Sequence, residues 1–227
     1  MKVFQIYFDQ SQIEKLEPGF IPYFNEKCTV YFENQVIREL IEKGEHIDST
    51  YFGVVSYNMR DKHHMMKKRW NSISGIRNES DADISYDALY AKLLLESPDV
   101  LSLQTHAPHD PIAFANRVHP GFLVFWMHIM DKIGYQWEPT IYPWVSYCNY
   151  FIAKRDIYER YVMEMLIPAM EVMNEMPELM ARCPYPKMYS EKLKADTGVD
   201  HYTWHSFLCE RLFTHFAFTQ NLKCQNF

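Results

Sequence analysis

The chain contains no CxxC pair. Its five cysteines, Cys28, Cys148, Cys183, Cys209 and Cys224, are odd in number and far apart, which argues against a disulfide framework and a thiolate zinc site and marks them as reduced thiols. Long apolar runs are missing too. The opening stretch MKVFQIYFDQ meets an acid at Asp9, too early for the apolar core of a secretion signal, and no later segment approaches the length of a membrane span. A cytoplasmic protein without a transmembrane segment is the expectation. The formal net charge is -6 and the basic residues are scattered, so the electrostatic footprint of a nucleic-acid binder is not seen. Internal repeats and low-complexity tracts are absent as well.

What is present suffices for one large domain over residues 1–227, because 48% of the residues are hydrophobic and can build a substantial core. The 16 tyrosines and 15 phenylalanines exceed the needs of a minimal core and suit either dense packing or stacking on a sugar or base. KVFQIYF (2–8) is rich in β-formers and reads as a first strand, whereas LEPGFIPYFN (16–25), with two prolines and a glycine, reads as a loop. From Glu33, the residues Val36, Ile37, Leu40 and Ile41 share one helical face, and Gly44 supplies the stop. YFGVVS (51–56), VLSLQ (100–104) and YCNYFIAK (147–154) read as further strands. Helices are expected after Ser85, after the Asp110-Pro111 cap, from His119-Pro120-Gly121 to Gly134, and from about Asp156 with Pro168 as a kink or early end. A proline-broken loop (177–198) then precedes a last helix from about Tyr202 to Gln220. Strands alternating with helices indicate an α/β sandwich with a mainly parallel sheet.

Four constellations carry candidate chemistry. Ser56, Tyr57, Asn58, Arg60 and Lys62, with the basic run Lys67, Lys68 and Arg69, follow the buried strand at 51–56. In open α/β sheets the ligand crevice lies outside the carboxyl ends of the strands, and guanidinium and ammonium groups there match a diphosphate in charge and geometry. In THAPHDP, His106, His109 and Asp110 offer metal-compatible ligands just beyond another strand, with Asp110 equally readable as a helix cap. His201 and His205 stand four apart and would share a helix face, but HExxH is missing and packing serves as well. Glu210 and Arg211 interrupt an apolar helix, which places them on an exposed face or aims them into a site. Asp81 and Asp83 would grip a hard divalent ion if they ended a strand, yet no apolar run precedes them.

The segments YFENQVIRELI, YFGVVSYNMRDK, YCNYFIAKRDIYERYVMEML and FLCERLFTHF, in that order, resemble the motifs of a glycosyltransferase-like family of bacterial polysaccharide-biosynthesis loci. That family shows a glutamate-bearing helix, a YIGLxHYR-like strand, an NxFIxK strand and a closing ERLF-type helix. The resemblance implies a GT-A-like nucleotide-diphospho-sugar transferase fold, a nucleotide-sugar donor bound at the carboxyl ends of the first strands, and a glycan or lipid-linked acceptor reached by peripheral association with a membrane. It places Glu33 at the helix glutamate, Tyr57 and Arg60 at the polar end of the second strand, Asn149 and Lys154 in NxFIxK, and Glu210 with Arg211 in the closing helix. Ser56 stands where the family often has His, and no DxD follows a strand to hold the manganese or magnesium ion that such transferases use. On this reading Asp9, Ser56, Tyr57, Asn58, Arg60, Asn149 and Lys154 contact the donor, Asp9 at its base or ribose. Glu210, His106 and Asp110 are the candidate general bases. The alternatives are a non-catalytic glycan- or protein-binding member of the same fold, and a metallohydrolase built on His106, His109, His201 and His205.

Overall fold

Buried alternating segments set the frame of the computed structural model, which describes residues 1–65, 84–104, 108–181, 188 and 190–227. In chain order, β1 (Lys2–Tyr7) leads through a 3-10 turn (Gln10–Lys15) to β2 (Ile21–Phe24), α1 (Glu33–Glu42) and β3 (Tyr51–Ser56). A helical segment, α2 (59–65), follows β3. Next come α3 (Tyr86–Glu96), β4 (Val100–Ser102), α4 (Pro111–Val118), α5 (Phe122–Lys132) and β5 (Phe151–Lys154). The rest is helical: α6 (Arg155–Tyr161), a π-helical stretch (Val162–Leu166), α7 (Ile167–Asn174), α8 (Glu178–Ala181), α9 (Glu191–Thr197) and α10 (Trp204–Thr219), with β6 (Cys224–Asn226) closing the order.

The strands form a single mixed sheet in the order β2-β1-β3-β5-β4-β6. The β1–β2, β1–β3 and β4–β6 pairs are parallel, whereas β5 runs antiparallel to both β3 and β4. A mainly parallel sheet therefore holds with one correction, a reversed strand in its middle. On one face Phe4, Ile6, Phe52, Val54, Val100, Phe151 and Ala153 pack with the apolar sides of α1, α5, α6 and α10. On the other, Val3, Tyr51, Val55, Leu101 and Ile152 pack with Leu89 and Leu93 of α3. This is the period-two alternation of strands covered on both faces. Gly53 is where β3 and β5 approach closely: a Cβ there would stand 2.9 Å from Ile152 Cγ1 and 3.3 Å from the Phe151 carbonyl oxygen.

Capping follows the sequence. The Ser85 side chain accepts from the Ala88 amide to start α3, and Asp110 caps α4 with Pro111 in its first turn. Several elements depart from the expectations. The loop at 16–25 contains β2, which holds Pro22 because it is an edge strand and needs no outward donor. The loop at 177–198 carries α8 and α9, and β6 is a three-residue edge strand too short to show a period. Pro168 neither ends nor replaces its helix. A π-helical stretch, Val162–Leu166, lies just before it, and the helix continues through it as α7. Among the described residues no helix is long and apolar enough to cross a membrane.

Candidate functional site

The chain diverges at the carboxyl ends of β1 and β3. From β1 it turns to β2 on one side, and from β3 it passes beyond β5 to β4 on the other. Such a switch point leaves a crevice outside the strand ends. A cleft lies there, walled by Ile6 and Phe8 at the end of β1, Asn25 and Cys28 after β2, Phe32 and Glu33 at the start of α1, and Ser56 and Tyr57 at the end of β3. Tyr57 meets the edge of Phe8 with ring centroids 5.7 Å apart.

Polar groups from three further segments converge on this edge. Because β5 is reversed, the residues preceding it reach the carboxyl ends of β3 and β4, and the Tyr150 hydroxyl is hydrogen-bonded to that of Ser56. Lys62 of α2 lies over the Tyr150 ring, with Nζ 5.3 Å from its centroid and 3.6 Å from Cys148 Sγ. Glu210 of α10 accepts a hydrogen bond from the Cys148 main chain. Arg211 is held between the rings of Phe122 and Tyr147, 5.1 and 5.3 Å from their centroids, and its NH1 lies 3.8 Å from Glu210 Oε2.

Burial sets the protonation of this cluster. It opposes the charge on Lys62, but Cys148, Tyr150, Glu33 and Glu210 together outweigh it and hold the ammonium above the usual lysine value. Burial also pushes the Cys148 thiol up to about 12 and raises the Tyr150 phenol. Both are neutral near pH 7, which leaves Glu33 and Glu210 as the carboxylates that favour the Lys62 charge. Glu210 has only 19% of its side chain accessible. Burial raises its proton affinity above that of an ordinary carboxylate despite the opposing pull of Arg211 and Lys62.

Backbone strain gathers at the same place. Of the five non-glycine residues with positive φ among the described residues, Phe32 (49°) lines the cleft, and Cys148 (56°) and Asn149 (56°) precede β5 at the same edge of the sheet. Residues held in this region cost about 1–3 kcal/mol each and cluster at functional sites. Asn149 is 2% exposed, and both atoms of its side-chain amide are buried without a hydrogen-bond partner among the described residues. That is a polar investment which the fold itself does not use.

Of the residues singled out in the sequence, Ser56, Tyr57, Asn149 and Glu210 meet at this edge, together with Glu33. Lys154 does not. It pairs across from Tyr51 at the opposite end of β3, roughly 16 Å away at the rise of an extended chain, and its Nζ is bound to Asp99 at 2.8 Å. Asp9 caps the 3-10 turn through Ser11, whose amide and hydroxyl it accepts at 2.9 and 2.6 Å. Those bonds lower its pKa. Asn58 opens α2 through its carbonyl, and Arg60 is 45% exposed and ion-paired with the buried Glu17. Asp110 accepts the amides of Ile112, Ala113 and Thr140 at 2.8, 2.9 and 3.1 Å, so it ties α4 to the next loop as a cap. His106, Asp81, Asp83, Lys67, Lys68 and Arg69 lie outside the described residues.

The histidine pair at 201 and 205 does not share a helix, because α10 begins at Trp204. His201 binds the Met180 carbonyl and Asp200, while His205 binds Thr203 and packs on Tyr31. His109 is hydrogen-bonded to Tyr147 at 2.8 Å. Tyr147, Cys148 and Tyr150 carried a signal that went unused: YCNY crowds polar groups onto the start of a strand, and only the strand's direction shows which edge they serve.

The cleft does not fit the divalent ion that the resemblance implies. The carboxylates of Glu33 and Glu210 both interact electrostatically with the Lys62 ammonium. Among the described residues no three His, Cys, Asp or Glu side chains gather in a way that could hold a metal. Comparison with family models, curated proteins and solved structures finds no match for the chain.

Proposed function

We propose that the protein is a glycosyltransferase that moves a sugar from a nucleotide-diphosphate donor to a glycan or to a lipid-linked acceptor at a cytoplasmic membrane surface. The observation that carries this reading is the convergence of Glu33, Lys62, Asn149 and Glu210, from four separate segments, on the carboxyl edge of the sheet at the switch between β1 and β3. The motif resemblance supplies the reaction class. In that reaction the acceptor hydroxyl attacks the anomeric carbon, the bond from that carbon to the diphosphate oxygen breaks, and its electron pair leaves on the diphosphate. Glu210 takes the hydroxyl proton. A carboxylate whose affinity for protons is raised by burial is better matched to that role near neutral pH than an ordinary one.

Thermal unfolding with UDP, GDP, CDP and dTDP tests the reading. At a hundred times its dissociation constant a ligand stabilises the fold by about 2.7 kcal/mol, which in a chain of this size raises Tm by roughly 5–11 °C. One nucleotide is expected to produce the rise. Asn149→Gly keeps the left-handed backbone and removes the unpartnered amide, so it should fold with an undiminished Tm yet lose much of the nucleotide-induced rise. No rise with any of the four nucleotides overturns the reading.

A further inference from the structure

The cations around the cleft are not equivalent. Arg60 is committed to Glu17, Lys15 to Asp61 at 3.1 Å and Lys192 to Asp196 at 2.8 Å. Arg211 donates to the Phe207 carbonyl and stacks between two rings. Lys62 differs from all of these. Its side-chain hydrogen bond is to the Cys148 thiol, 3.6 Å from Nζ, and among the described residues no carboxylate oxygen comes within ion-pairing distance. An ammonium has three donors and a thiol sulfur is a weak acceptor, so among the described residues the hydrogen-bonding capacity of Lys62 toward oxygen is unfilled. The ammonium also lies over the Tyr150 ring, and the Lys62 amide is bonded to the Asn58 carbonyl at the start of α2.

We propose that the Lys62 ammonium is the fixed counter-charge for the donor's diphosphate and that the cleft binds a nucleoside diphosphate without a divalent cation. This rests on the donor reading above and deepens it. A divalent ion held by Glu33 or Glu210 would enter the field of the ammonium with which both carboxylates interact and would be repelled by it. A diphosphate oxygen meets the opposite situation. It finds a positive charge seated over the Tyr150 ring and beside the Cys148 thiol. That charge also stabilises the negative charge which builds on the diphosphate as the sugar departs, with no cost of reorganisation at that moment.

Titration calorimetry on the full chain with UDP, GDP, CDP and dTDP, each in EDTA and in manganese, decides the matter. The expected result is one nucleotide whose Kd agrees within twofold between the two conditions. Lys62→Met, which keeps the apolar stem over Tyr150, should weaken that nucleotide tenfold or more in both. Binding that appears only with manganese overturns the proposal and leaves the donor reading standing, as does an unchanged Kd in Lys62→Met. Failure of all four nucleotides in both conditions overturns the donor reading and this proposal with it. The EDTA comparison needs only the unaltered chain, so it decides the metal question even if Lys62→Met does not fold.

Discussion

Acidification should expose the burial of His205. The residue is 3% exposed, its Nδ1 lies 3.0 Å from Thr203 Oγ1, and its ring meets Tyr31 edge-on with centroids 5.1 Å apart. Burial pushes its pKa down from 6.5 to about 4. The unfolded chain therefore binds a proton that the folded chain excludes, so the associated stability is present above pH 6.5 and is lost as the pH falls toward 4. At about 1.4 kcal/mol per pH unit this amounts to about 3 kcal/mol in full, of which about 2.5 kcal/mol is gone by pH 4.5. His215, also lowered by burial, acts in the same direction, so the measurement must be differential. His205→Gln keeps a neutral polar group beside Thr203. Urea unfolding of both proteins at pH 7.5 and 4.5 should show the unaltered chain losing about 2.5 kcal/mol more than the variant, or roughly 5–10 °C in Tm. Equal losses in the two proteins would refute the reasoning.

Gly53→Ala should destabilise the fold by about 1–3 kcal/mol, since the new methyl group is forced against Ile152 and the Phe151 carbonyl where β3 meets β5; a urea midpoint equal to that of the parent would remove the close approach from the account. Glu210→Gln should melt above the parent at pH 8 and together with it at pH 4. The folded chain holds the Glu210 proton more tightly than the unfolded one, so ionising it costs stability as the pH rises past the ordinary carboxylate value. Product formation by the same variant should fall sharply, and full turnover would remove Glu210 as the base.

Much of the frame was legible because its signals are local. The stripe Val36, Ile37, Leu40 and Ile41 and the buried run at 51–56 declare their elements within one or two turns of chain, and the caps at Ser85 and Asp110 need only a few neighbours. Glu210 also stood out, as a charge interrupting an apolar helix. The direction of β5 was not legible. Read as one motif, Asn149 and Lys154 seemed to serve a single site, yet five residues along a strand cross the whole sheet and leave them at opposite edges. Arg60 and Lys62 could not be told apart for a similar reason. Without a visible period at 58–65 nothing indicated that one pairs with Glu17 while the other lies over Tyr150.

The reversed strand also bears on when the site comes into being. Glu33, Lys62, Asn149 and Glu210 are brought together from across the chain, and the contacts that join them close loops of 86 and 94 residues, from Lys62 to Cys148 and from Ser56 to Tyr150. Contacts of such long range form late, after the local helices and the β1–β3 pairing have paid their ordering entropy. A ribosome-bound chain that has completed β1, β2 and β3 holds half a cleft, with Lys62 lacking its Tyr150 platform and Glu210 not yet made. The convergence of these four residues is therefore a late product of folding, and a partly folded chain carries only a fragment of it.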